Sequence, residues 1–163
     1  MILDVVDRND PCLTTECKPH TIVEDESLQL AWNLVETMRH HEMPSIAANE
    51  LGIQQRVIAL NTDPALVMFN PKITKTFGDD VVLDETDLAR KGLSCKIKRP
   101  QGIRIRFQDY NGDVVVQKYV GMTARHILHT MDTIDGLNFI DKANKIHRQQ
   151  ALKNFKLWKK RNG

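Results

Sequence analysis

Along residues 26–41 the apolar positions Leu28, Ala31, Trp32, Leu34, Val35 and Met38 recur at three- and four-residue spacing, which predicts an amphipathic helix. Asp25 stands where it would cap the helix start, and His40 and His41 fall at the end that favours positive charge. The pattern then shortens. Residues 56–61 and 66–74 read as short β-rich runs, with Pro71 marking an edge or a strand end. Strand-like character returns at residues 81–83 and 95–98. Residues 103–107 and 114–116 flank Asn111-Gly112 and predict a hairpin on which Arg104 and Arg106 alternate with apolar neighbours. A second amphipathic helix is expected over residues 121–136, between Thr123 as N-cap and Gly136 as C-cap. A final helix is expected over residues 142–160, supported by Ile146, Ala151, Leu152, Phe155 and Leu157. Trp32 and Trp158 sit among apolar neighbours and are read as packing residues.

These elements define an α+β chain: short antiparallel sheets around a central helix, with a long helix in the first half and another at the end. The length of 163 residues suits one domain, with residues 1–24, which hold Pro11 and Pro19, as an irregular arm. No apolar run approaches the roughly 20 residues that span a bilayer, and the start of the chain lacks the pattern of a signal peptide. Membrane association is therefore not expected. Three cysteines, Cys12, Cys17 and Cys95, suggest free thiols in a reducing compartment.

Charge adds one feature. The net charge is +2, but residues 142–163 carry eight Lys or Arg and no acidic residue. The basic C-terminal segment, residues 141–163, is a candidate surface for an anionic or acidic partner through Lys153, Lys156, Lys159, Lys160 and Arg161.

The candidate chemistry lies on the helix at residues 121–136. It carries His126 and His129 and has the frame of a His-Glu-x-x-His metal helix. Thr130 stands where that motif has its general base, and Thr133 stands beyond it where a second histidine belongs.

Set in order, several segments resemble the peptide deformylase family, most closely the deformylases of bacteriophages. They are Ile46-Ala-Ala48 with Gln55-Arg-Val-Ile58, Asn70-Pro71, Lys96-Ile-Lys-Arg-Pro100, the hairpin at residues 103–113, and Thr123-Ala-Arg125 leading to Asp132-Thr-Ile-Asp-Gly136 and Phe139. The resemblance implies a metal hydrolase that removes the formyl group from the initiator methionine of new chains. Such enzymes hold the metal with one cysteine and two histidines, use a glutamate as general base, and stabilise the oxyanion with a glutamine.

Carried onto this sequence, the resemblance puts Glu50 at the glutamine position, Asp87 at the cysteine, His129 at the first histidine, Thr130 at the base and Thr133 at the second histidine. A gapped alternative recruits Cys95 in place of Asp87. A carboxylate at the oxyanion position accepts rather than donates, and threonine is neither a base nor a strong ligand. The expectation is a catalytically inactive deformylase-fold protein, a pseudoenzyme acting as a binding or assembly module.

The resemblance further implies a phage-encoded protein, located in the infected cell's cytoplasm or in the virion. Its partner would be a protein or ribonucleoprotein met through the basic helix, such as the ribosome or phage structural proteins. No cofactor is expected. The alternative is a residual or altered metal-dependent deformylase holding zinc or iron at His129, Asp87 and Glu50. In the inactive case Glu50 and Asp87 are expected to hydrogen-bond to Thr130 or Thr133, and Asp132 and Arg125 to serve the scaffold. A third reading is a nucleic-acid-binding protein that works through the basic segment alone.

Overall fold

A five-stranded antiparallel meander carries the fold, its strands lying side by side in chain order in a computed structural model that describes residues 1–163. The strands are β1 (Ser45–Ala47), β2 (Val57–Leu60), β3 (Leu66–Glu85), β4 (Cys95–Gln108) and β5 (Val114–Val120). The helices are α1 (Glu24–His40), α2 (Gly121–Ile134) and α3 (Lys145–Asn162). Three 3₁₀ turns, Pro11–Thr14, Ala48–Leu51 and Phe139–Lys142, bridge them.

The α+β class stands, but the several short strands expected between residues 66 and 98 do not stay short. Residues 66–74 and 81–83 join into the 20-residue β3, which pairs with β4 from Phe69–Gln108 to Glu85–Cys95. Turn residues failed to end the strand because they are absorbed as irregularities. The register shifts between Phe69 and Lys72, around Pro71, and again between Phe77 and Asp80, around Gly78 at φ +80°. A proline at a bulge forfeits no ladder hydrogen bond, so Pro71 does not mark an edge.

Alternation on β4 positions the site. Cys95, Ile97, Arg99, Ile103, Ile105 and Phe107, all odd-numbered, share its inward face. Helix α2 lies against that face, and Ala124, Ile127, Met131 and Ile134 close a core with Ile58, Leu60 and Met68. Helix α1 buries Ala31, Leu34, Val35 and Met38 against Ile46, Val57 and Phe69. Helix α3 packs through Ala151 and Phe155 against Ile97, Phe139 and Ile140.

Several expectations about helix ends shift. Helix α1 starts at Glu24 without a side-chain cap, so Asp25 is a first-turn acid rather than the cap. Helix α2 begins at Gly121 as a direct continuation of β5, which leaves Thr123 inside its first turn; Asp135 is its C-cap and Gly136 follows. Helix α3 begins at Lys145, capped by Asn144, whose side chain accepts from the His147 amide. Trp32 is 56% exposed and is not a packing residue. Trp158 is one, its ring lying where a side chain on Gly92 would otherwise be.

Gly136 ties α2 to the N-terminal arm. It has φ +77°, and a Cβ there would lie 2.8 Å from the Thr15 carbonyl carbon and 2.9 Å from the Glu16 nitrogen. Both neighbours are backbone and cannot rotate away. Gly136→Ala is expected to lower unfolding stability by about 1–3 kcal/mol in urea denaturation. A neutral result would mean that the arm is not held against this turn.

Candidate functional site

Three segments converge on one cavity. The 3₁₀ turn after β1 presents Glu50, the end of β3 and the loop leaving it present Glu85 and Asp87, and α2 presents Arg125, His126 and His129. The cavity is about 170 Å³, and Met43, Leu88 and Met122 supply its apolar lining.

Glu85 is its electrostatic centre. Its carboxylate accepts from Arg99 Nε at 2.7 Å and Nη2 at 2.8 Å, from Arg125 Nη1 at 2.6 Å, and meets His129 Nδ1 at 2.7 Å. Burial alone would push its pKa up. The hydrogen bond with His129 and the pairing with Arg99 outweigh burial and hold it at about 2. Arg99 also reaches Asp132 at 2.9 Å, and Lys142 lies 3.8 Å from the same carboxylate. Arg125 additionally donates to the backbone oxygens of Ile97 and Val81. Asp132 and Arg125 are thus scaffold residues, as expected, Asp132 through its ion pair with Arg99.

With Nδ1 fixed by Glu85, the free nitrogen of His129 is Nε2. It is buried, has no hydrogen-bond partner, and lies 3.9 Å from Asp87 Oδ2. The gapped alternative is not what the structure holds. Cys95 lies on β4 with its Sγ turned to the carbonyl of His147 at 3.6 Å, and burial raises its thiol pKa.

Asp87 is not free. Its Oδ1 accepts from the Arg90 amide at 2.7 Å and its Oδ2 from Arg90 Nη1 at 2.9 Å, both side chains being buried. The expected bonds from Thr130 and Thr133 to the carboxylates are absent, because those hydroxyls turn back into their own helix. Thr130 Oγ1 donates to the carbonyls of His126 and Ile127, and Thr133 Oγ1 to that of His129. A buried threonine on a helix has a carbonyl one turn back within reach and takes it.

Glu50 is 2% exposed; its Oε1 accepts from the Ala47 amide at 3.4 Å, and Oε2 has no partner. Burial, and then the nearby charge of Asp87, push its pKa up to about 8, although the amides of Ala47 and Ala89 and the Arg90 guanidinium pull it back. In the unfolded chain the same carboxyl titrates near 4.5. Stability from this group is therefore fully present below 4.5 and is lost as pH rises to about 8, because the unfolded chain ionises first. Glu50→Gln does not titrate. Its melting temperature is expected to gain on the parent steadily from pH 5 to pH 8; a constant difference would show that Glu50 is ionised in the fold.

A metal held as in a Cys-His-His site does not fit these residues. One imidazole nitrogen is available, the carboxylate facing it is neutralised by Arg90, and the Thr133 hydroxyl points into the helix. The residues that sequence reasoning missed are Glu85, Arg90 and Arg99. For Arg99 the signal was present: it shares the odd-numbered inward face of β4 with Cys95 and Ile97.

The C-terminal cations are all exposed. Lys153, Lys156, Lys159, Lys160 and Arg161 form no ion pair.

The model of the polypeptide deformylase family matches residues 2–149. A peptide deformylase from Desulforudis audaxviator is 30% identical over 152 residues, covering 91% of this chain and 98% of that protein. A protein from Agrobacterium fabrum named peptide deformylase-like is 28% identical over 139 residues, covering 84% and 85%. The crystal structure of a peptide deformylase from Synechococcus elongatus in complex with actinonin superposes with a TM-score of 0.87 at 29% identity, covering 94% of this chain and 86% of that one. The Thermotoga maritima peptide deformylase gives 0.83 at 25% identity, covering 88% and 99%. The chain belongs to the peptide deformylase family. No helix in it is long and apolar enough to cross a membrane.

Proposed function

We propose that this chain keeps the deformylase fold and cavity as a binding module and has given up metal-dependent hydrolysis. The observation that supports this best is Asp87. The residue opposite the free imidazole nitrogen is committed through both oxygens to Arg90, so the cavity already holds the cation that balances it. Thr130 offers no base of useful pKa.

Purified protein supplied in turn with zinc and with ferrous iron is expected to release formate from N-formyl-Met-Ala-Ser no faster than its His129→Ala variant. Formate release that vanishes in the variant would overturn the reading.

A second reading is a residual or altered metal-dependent deformylase using His129, Asp87 and Glu50 with zinc or iron. The comparisons favour it over inactivity, since relatives covering 91% and 95% of the chain carry the name peptide deformylase. Metal content of protein purified without added metal separates the two, with one metal per chain supporting the second. The relatives named above are bacterial; a bacteriophage or virion setting rests on the sequence resemblance alone.

For α3 we infer contact with an anionic protein or ribonucleoprotein surface, supported by its seven exposed, unpaired cations, the five named above with Lys145 and Arg148. A binding constant for ribosomes that does not change between 50 and 200 mM salt would remove a phosphate-rich partner.

A further inference from the structure

The geometry points to a site for one primary ammonium group, the free amine of a peptide N-terminus, formed by Glu50, Asp87 and His129. This rests on the reading above that the cavity binds rather than hydrolyses, and it names what the cavity binds.

Charge balance sets the valence. Glu85 is matched by Arg99 and Arg125, Asp87 by Arg90, and Asp84 at the mouth lies 3.9 Å from Lys96. Glu50 alone forms no ion pair, so it is the one carboxyl here that a bound cation can engage without displacing a protein cation. A divalent metal would sit beside the Arg90 guanidinium and be repelled by it.

Hydrogen-bond demand sets the geometry. Two buried atoms that line this cavity have no partner, Glu50 Oε2 and His129 Nε2, on residues 2% and 6% exposed. With Nδ1 donating to Glu85, the neutral form of the His129 ring presents a lone pair at Nε2. Asp87 Oδ2, 3.9 Å from that nitrogen and on a residue 5% exposed, adds a third acceptor. An ammonium carries three N–H donors and no acceptor, which complements the two unpartnered atoms and the remaining lone pair of Asp87 Oδ2, whose other takes Arg90 Nη1. A formylated or acetylated amine brings one N–H and a carbonyl oxygen, and that oxygen would face carboxylates. Met43, Leu88 and Met122 line the same cavity and would receive an apolar first side chain, which favours a peptide end over a bare amine.

The test is calorimetric titration at pH 7 with EDTA present, where an N-terminal amine is mostly charged. The probes are Met-Ala-Ser, N-formyl-Met-Ala-Ser, N-acetyl-Met-Ala-Ser and n-butylamine. The free peptide is expected to bind at least about ten-fold more tightly than either capped peptide, since a buried hydrogen bond from a charged donor is worth about one such factor or more. Glu50→Gln is expected to remove that advantage.

Capped peptides that bind as well as the free one overturn the proposal, as does the absence of binding by any amine. The cap comparison uses the unaltered protein, so it decides even if Glu50→Gln misfolds. Butylamine binding as tightly as the peptide supports the ammonium site and makes a small amine the source. Zinc alone, without EDTA, binding one per chain and excluding the peptide would overturn it in favour of a metal. Formate appearing in the N-formyl titration would count against loss of hydrolysis, a separate result from the order of affinities.

Discussion

Replacing Glu85 with alanine is expected to lower the unfolding free energy by about 3–5 kcal/mol, the usual loss when one partner of a buried ion pair is removed. Glu85 has 5% of its side chain exposed and is the shared acceptor for Arg99, Arg125 and His129. Its removal leaves Arg125 with backbone carbonyls alone and Arg99 with Asp132 alone, and frees the His129 ring to rotate. For a chain of this length the loss corresponds to a fall in melting temperature of very roughly 6–20 °C.

The pH profile adds an independent check. Glu85 titrates at about 2 in the fold and at 4.5 when unfolded. Its stabilising contribution is therefore present above 4.5 and lost as pH falls toward 2. The parent's melting temperature should drop across that window, and the Glu85→Ala variant should lack that part of the drop. A variant that melts within 2 °C of the parent at pH 7 would show that the two arginines are held by the rest of the fold.

How far the sequence revealed this site follows from the range of its interactions. Helices α1 and α2 were legible because their apolar faces repeat within a few residues, and Asp87 was reached by counting back from Lys96. The 20-residue β3 was not, because bulges accommodate Pro71 and Gly78 only when β4 is paired alongside. Trp32 was misread for a related reason: period places a residue near a helix face, but only the neighbouring elements decide whether that face is covered. The Glu85 cluster joins residues 14 and 40 positions apart, and nothing local marks it. Thr130 and Thr133 were expected to bond across the cavity, yet their nearest acceptors were in the previous turn. Arg90 went unnoticed although it lies three residues from Asp87, because such a pair is ordinary at a surface and becomes informative only when both partners are found buried.

The largest gain of function is expected from restoring four positions together: Glu50→Gln, Asp87→Cys, Thr130→Glu and Thr133→His. The resemblance to family deformylases names these residues, and the structure shows what each one meets. His129 Nε2 is already free and its ring is already oriented by Glu85, the second-shell arrangement that supports metal-ligating histidines. Thr133 lies one helical turn beyond His129, and position 87 faces Nε2 across 3.9 Å, so a thiolate and a second imidazole would converge on the first. The larger side chains at positions 130 and 133, which are 1% and 0% exposed, should each cost about 1–3 kcal/mol before metal is added. Binding of the metal offsets that strain, so the variant's melting temperature should rise with zinc while the parent's does not. The expected readout is one zinc per chain, with formate release from N-formyl-Met-Ala-Ser at least about a hundred-fold above the parent, the lower range for a positioned general base. A folded variant that takes up no zinc would mean that the scaffold around His129 has moved away from a metal-binding geometry, and that the four substitutions are a consequence of that change rather than its cause.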